Sequence, residues 1–108
     1  MKYGNDKTTI EGITFDSRRE ARRYCELVLM QRAGLISGLE LQKTFELIPV
    51  QKVNGKCVER AVKYVADFVY TDESGTLCVE DAKGFRTKEY VIKRKLMLYR
   101  YGVQIKEV

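Results

Sequence analysis

Two short strings hold the residues best suited to do chemistry, Val65-Ala66-Asp67-Phe68-Val69 and Val79-Glu80-Asp81-Ala82-Lys83. Both read as β-strands, and strand alternation decides which side chains share a face. Val65, Asp67 and Val69 fall on one face of the first; Leu77, Val79, Asp81 and Lys83 fall on one face of the second. Between the strands, Glu73-Ser74-Gly75 fits a three-residue hairpin loop with glycine at the left-handed position. Asp72 and Thr76 then close the loop, Val69 faces Val79, and Asp67 faces Asp81. Facing residues have Cβ atoms about 4.5–5.5 Å apart, so two carboxylates there repel unless a proton or a cation lies between them. A slip of one residue would set Asp67 opposite Glu80 instead.

Such a pair suits Mg²⁺ or Mn²⁺, which takes one or two carboxylates and leaves positions for water and a phosphate oxygen. The ion would stabilise charge on a reacting phosphate and lower the pKa of a bound water. Lys83 would orient or deprotonate that water, or else it is a strand-end lysine reaching solvent. Glu20 is either a third acid of the metal shell or the partner of Ser17 in a capping box.

The chain excludes most other chemistry. Its 108 residues contain no His, which removes Ser-His-Asp triads, Cys-His dyads and His-ligated zinc. Cys25, Cys57 and Cys78 form no CxxC, and an odd cysteine count without a framework fits a reducing cytoplasm. There is no Gly-rich phosphate loop, no signal-peptide core, and no apolar run near the roughly 20 residues of a membrane span. Twenty Lys and Arg against fifteen Asp and Glu leave a net charge of +5, which favours a polyanionic partner.

Positioning these residues requires a mixed α/β domain over 1–108. Residues 8–15 predict a small hairpin about Glu11-Gly12. A helix starts at Asp16 or Ser17 and stops at Gly34, with Glu20, Tyr24, Leu27 and Gln31 on its inward stripe. Strands follow over Leu39–Val53, Arg60–Thr71 and Thr76–Lys83, the first two joined by Asn54-Gly55. A second helix spans Lys88–Tyr101, with Ile92, Leu96 and Tyr99 as its expected apolar stripe. Gly102 ends it, and a short strand closes the chain. The order is α-β-β-β-α-β about a central sheet.

An Asp on one strand followed by Asp-Ala-Lys on the next resembles the PD-(D/E)XK nuclease signature. The element order resembles that superfamily's restriction-endonuclease-like core, and an upstream helical Glu is a common third acid there. More closely, the chain resembles a family of short phage and prophage proteins placed in that superfamily. The stretches that carry this are 16–21, 39–42, 64–70, 79–85 and 93–96. Ala66 stands where the signature has Pro. The resemblance implies that Asp67, Asp81 and Glu20 bind the metal and that Lys83 assists the water. It also implies that Gln42 helps position the site, in the cytoplasm of a bacterial host.

Residues 83–106 hold eight Lys or Arg and one acid, Glu89, while Arg18, Arg19, Arg22 and Arg23 crowd the first helix. Arg86, Lys88, Lys95, Arg18 and Arg22 are therefore the expected DNA contacts. Tyr3, Tyr90, Tyr99 and Tyr101 are candidates for stacking on bases, with Tyr99 expected in the core. The expected activity is metal-dependent DNA endonuclease cleavage, and a branched-DNA resolvase or nicking role suits so small a chain. A homodimer would present two sites to paired strands. The competing readings are a catalytically inactive nucleic-acid-binding module and a phage protein-interaction factor of the same fold.

Overall fold

A computed structural model describes residues 7–82 and 85–108. The elements in order are β1 (Thr8–Ile10), β2 (Ile13–Phe15), α1 (Arg18–Arg32), β3 (Ile36–Ile48), β4 (Gln51–Val53), β5 (Lys56–Glu59), β6 (Val62–Asp72), β7 (Leu77–Asp81), α2 (Lys88–Tyr101) and β8 (Lys106–Glu107). The main sheet has the order β3-β6-β7-β8. Its first two interfaces are antiparallel, and β8 lies parallel to β7.

Local chemistry fixes the ends of the elements. Ser17 caps α1, its Oγ accepting the Glu20 N–H at 3.1 Å. Gly34 ends the helix with a left-handed φ of 79°. Its N–H bonds to the Gln31 carbonyl and the Leu35 N–H to that of Met30, a pattern that satisfies the last carbonyls of the helix. The β6–β7 turn matches the sequence expectation. Asp72 N–H bonds to the Thr76 carbonyl at 3.0 Å, and Val69 pairs with Val79.

Three expectations need correction. The strand expected over Leu39–Val53 is not continuous, because β3 stops at Ile48 before Pro49, which has no N–H to donate to the ladder. The Asn54-Gly55 turn therefore closes a separate two-stranded sheet of β4 and β5 that lies outside the main one. On α2, Ile92 and Tyr99 face solvent, Tyr99 with 89% of its surface exposed, while Tyr90 and Met97 are the buried residues. Apolar residues lie on both sides of this helix, so periodicity alone does not choose the face that the sheet covers.

The third correction concerns β6. Tyr64 and Ala66 belong to the core cluster that includes Tyr90 and Met97 of α2; Phe68 and Tyr70 belong to the cluster that includes Ala21 and Leu27 of α1. Val69 lies with the α2 cluster, whereas Val65 is 47% exposed, so the two do not share a face. β3 changes sides at the same level, with Leu39 and Leu41 against the α1 cluster and Phe45 and Leu47 in the α2 cluster. The cause lies at Gln42, which takes a left-handed φ of 52° opposite Asp67. The ladder pairs Leu41 with Phe68 and Lys43 with Ala66 in one register, and the change of side falls between these pairs. Alternation resets there in both strands at once.

The two layers are also joined by charge. Glu80 is fully buried on β7, and Arg23 of α1 donates to it from Nε and Nη2, both at 2.7 Å. The Tyr70 hydroxyl donates to Glu80 Oε2 as well. Burial raises the Glu80 pKa, but the bonds from Arg23 and Tyr70 outweigh it and the net direction is down. Removing one partner of such a pair leaves an uncompensated charge in the interior. Arg23→Met is therefore expected to cost about 3–5 kcal/mol in urea denaturation, and Arg23→Met with Glu80→Met to recover most of that loss. A single variant as stable as the parent would show that the pair does not join α1 to the sheet.

Candidate metal and acid site

The change of side at Gln42 and Asp67 is where the expected site residues meet. Gln42 Nε2 lies 3.2 Å from Glu20 Oε2 and 3.2 Å from Asp67 Oδ1, so one amide nitrogen serves two carboxylates. The other Asp67 oxygen, Oδ2, accepts the Ala82 N–H at 2.9 Å. The regular β6–β7 pairing begins at Phe68 and Glu80, one residue short of the expected pair of aspartates. In place of that pair, the Asp67 side chain ties itself to the backbone just after Asp81. Asp81 is 2% exposed, and its Oδ2 accepts the Tyr64 hydroxyl at 2.6 Å. The Tyr64 pKa is raised by burial first, then by this bond and by the charges of Asp81 and, more weakly, Asp67. Both carboxylates thus act on one phenol.

Glu20 turns its carboxylate into this group. Its backbone N–H serves the Ser17 cap. Its side chain accepts from Gln42 and from the Asp16 backbone, so the capping hydrogen bond and the site contact coexist. Burial, followed by the charges of Asp67 and Asp16, pushes its pKa up to about 7, with the Asp16 N–H opposing. A cleft of about 250 Å³ opens beside it, lined by Thr14, Asp16, Glu20, Leu41 and Gln42 among others.

The donors are of the kind that hard divalent cations take, since carboxylate oxygens from one or two residues suffice for Mg²⁺. Among the described residues, no three His, Cys, Asp or Glu side chains are grouped to hold a metal ion. Asp67 and Asp81 come together only through their shared influence on Tyr64, and Glu20 reaches Asp67 through Gln42. Lys83 lies outside the described residues, as does Tyr3. Glu80, the alternative to Asp81 had the register slipped, is committed to Arg23 and Tyr70.

The expected DNA contacts divide. Arg18, Arg22, Lys88 and Lys95 are exposed. Arg86 is held by Glu107, donating from Nε at 2.7 Å. Glu107 also accepts from the Tyr90 hydroxyl at 2.8 Å and from Arg94 Nη1 at 3.3 Å. Those bonds, Arg86 first, pull its pKa down to about 2. Tyr90 is buried, and Tyr101 packs on Phe45 with ring centroids 5.6 Å apart, which leaves Tyr99 as the open ring of the three. Sequence reasoning missed Arg23, Tyr64 and Glu107. The only local hint for Arg23 was its place on the helix between Glu20 and Leu27, near the inward stripe.

A family model matches residues 1–107. The chain belongs to the family described as Protein of unknown function (DUF1064). That match spans β1 to β8 and so includes Glu20, Gln42, Asp67 and Asp81. No curated protein and no solved structure matches the chain. No helix among the described residues is long and apolar enough to cross a membrane.

The raised pKa of Glu20 has a sign that can be measured. Below its ordinary value of 4.5 the group is protonated in both folded and unfolded chains. As pH rises from 4.5 to about 7 the unfolded chain ionises first, so stability is lost through that window. In EDTA, Glu20→Gln should match the parent near pH 4 and exceed it by on the order of 2 kcal/mol at pH 8. Equal stability at both pH values would show that Glu20 is not held in this acidic, buried setting.

Proposed function

We propose that this protein is a metal-dependent DNA endonuclease with a restriction-endonuclease-like core, a member of the PD-(D/E)XK superfamily. One observation carries the reading. Asp67 is fixed by Gln42 on one side and by the N–H following Asp81 on the other, with Glu20 on the same amide. Acidic groups concentrated where two strands change sides weaken the fold unless they meet a cation. Function is the simplest reason to keep them.

Asp67 and Asp81 would hold Mg²⁺ or Mn²⁺, which supplies positive charge at the phosphate and acidifies a bound water. Tyr64 donates to one Asp81 oxygen, so its lone pairs are partly committed and the carboxylate is fixed in orientation. Gln42 holds Asp67 and Glu20 together against their mutual repulsion. Glu20, tied to Asp67 through the Gln42 amide, would complete the metal shell as its third acid. The sequence places Lys83 two residues beyond Asp81, where its ammonium would add positive charge next to the phosphate. Lys88, Lys95, Arg18 and Arg22 supply exposed positive charge for the DNA backbone.

The test is cleavage of branched, nicked, single-stranded and linear duplex DNA in Mg²⁺, Mn²⁺ and EDTA. Cleavage should need the metal, and Asp67→Asn or Asp81→Asn should lower it roughly 100-fold or more while the protein stays folded. Glu80→Gln should act on stability rather than on the metal requirement. Metal-dependent DNA binding without cleavage on every substrate would favour an inactive binding module. Full activity in either aspartate variant would remove that residue from the site.

A further inference from the structure

Every residue from Pro49 to Arg60 is exposed. Within this stretch β4 and β5 pair only with each other, across Asn54 and Gly55 with left-handed φ angles of 52° and 79°. Lys52 faces Cys57, and Val53 faces Lys56. A two-stranded ribbon that covers neither of its faces is marginal in water, so stability of the fold is a poor reason for its presence. The molecule is correspondingly extended, with a radius of gyration of 16.0 Å against about 13 Å for a compact chain of this length.

The charge of the arm points to its partner. Residues 50–60 carry Lys52, Lys56 and Arg60 against one acid, Glu59. Among the described residues none of these three cations is in an ion pair. The shape agrees, because the major groove of duplex DNA, about 12 Å wide, admits a two-stranded β-ribbon. Val53 and Val58 are about half exposed and would meet apolar base edges there.

The arm is also tied to the site. It leaves the sheet at Val62, the first residue of β6, and Asp67 lies on that same continuous strand. Eleven residue steps separate Lys56 from Asp67, a span of at most about 36 Å at about 3.3 Å per residue. One turn of duplex measures about 34–36 Å.

We propose that the β4–β5 arm is a duplex-DNA contact, entering the major groove within about one helical turn of the phosphate at the Asp67 and Asp81 site. The inference rests on the nuclease reading and adds to it the substrate feature required, a double-stranded flank beside the cut. The experiment measures binding rather than cleavage, in EDTA and in Ca²⁺, on duplex and single-stranded DNA across a salt series. The parent protein is compared with Lys52→Ala/Lys56→Ala/Arg60→Ala, circular dichroism confirming the fold of each. The variant should bind duplex at least about tenfold more weakly at 0.15 M salt, with a log–log salt slope lower by about two to three. Its hydroxyl-radical footprint should shorten on one side by about half a turn or more. Affinity for single-stranded DNA should change much less. Unchanged duplex binding and footprint in the variant would overturn the arm contact while leaving the nuclease reading intact. Loss of a parent dimer on sedimentation with an unchanged footprint would overturn it in favour of a second copy of the chain. Absence of any DNA binding by the parent would remove both readings together.

Discussion

An ionised carboxylate in the middle of a sheet has to be answered by charge, and at Glu80 the answer comes from another layer of the molecule. Arg23 reaches it with two parallel bonds from the helix that also carries Glu20. This single contact sets α1 against β7, and its neighbours in sequence are Asp81 on one partner and the Glu20 turn on the other. The planar guanidinium, matched to a carboxylate at two points, fixes rotation as well as distance. Apolar contact between α1 and the sheet, through Leu27 and Phe68, tolerates sliding more readily than this fork does. The helix that carries Glu20 and the strand that carries Asp81 are therefore held by a pair that lies outside the site itself.

The second constraint is the joint reset of β3 and β6. A left-handed backbone costs a residue such as Gln42 roughly 1–2 kcal/mol, and such costs gather where a site needs a particular geometry. Here the geometry obtained is concrete. With alternation reset between Ala66 and Phe68, Asp67 bonds to Gln42 and to the Ala82 N–H, and the buried residues on either side of it stay in contact with a helix. Because both strands reset together, the pairing of Leu41 with Phe68 and Lys43 with Ala66 survives.

What the sequence shows and what it hides follow from range. The cap at Ser17, the stop at Gly34, the β6–β7 register and the extent of α2 depend on neighbours a few residues apart, and each was legible. So was the meeting of Glu20, Gln42 and Asp67, which the resemblance had named together with Asp81. The Arg23–Glu80 pair spans 57 positions and leaves no periodic trace. Arg23 read as one more cation in a basic run. The buried side of α2 differs from the expected one because the helix has apolar residues on both sides, and only the sheet selects Tyr90 and Met97. The reset at Gln42 was invisible because a lone glutamine gives no sign of a left-handed φ.

The segment between β3 and β6 has a consequence for how the molecule tolerates change. The two strands are paired on both sides of Asp67 and as far as Ile48 with Val62, so their docking does not depend on the length of what connects them. Closing a longer connection costs only about 0.6 kcal/mol for each doubling of its length. The tip at Asn54-Gly55 is therefore a natural insertion point for a fluorophore, an affinity handle or a whole folded module. Lengthening or shortening there alters the arm and what it touches while the sheet stays as it is, which makes this connection an adjustable ruler mounted on a fixed frame.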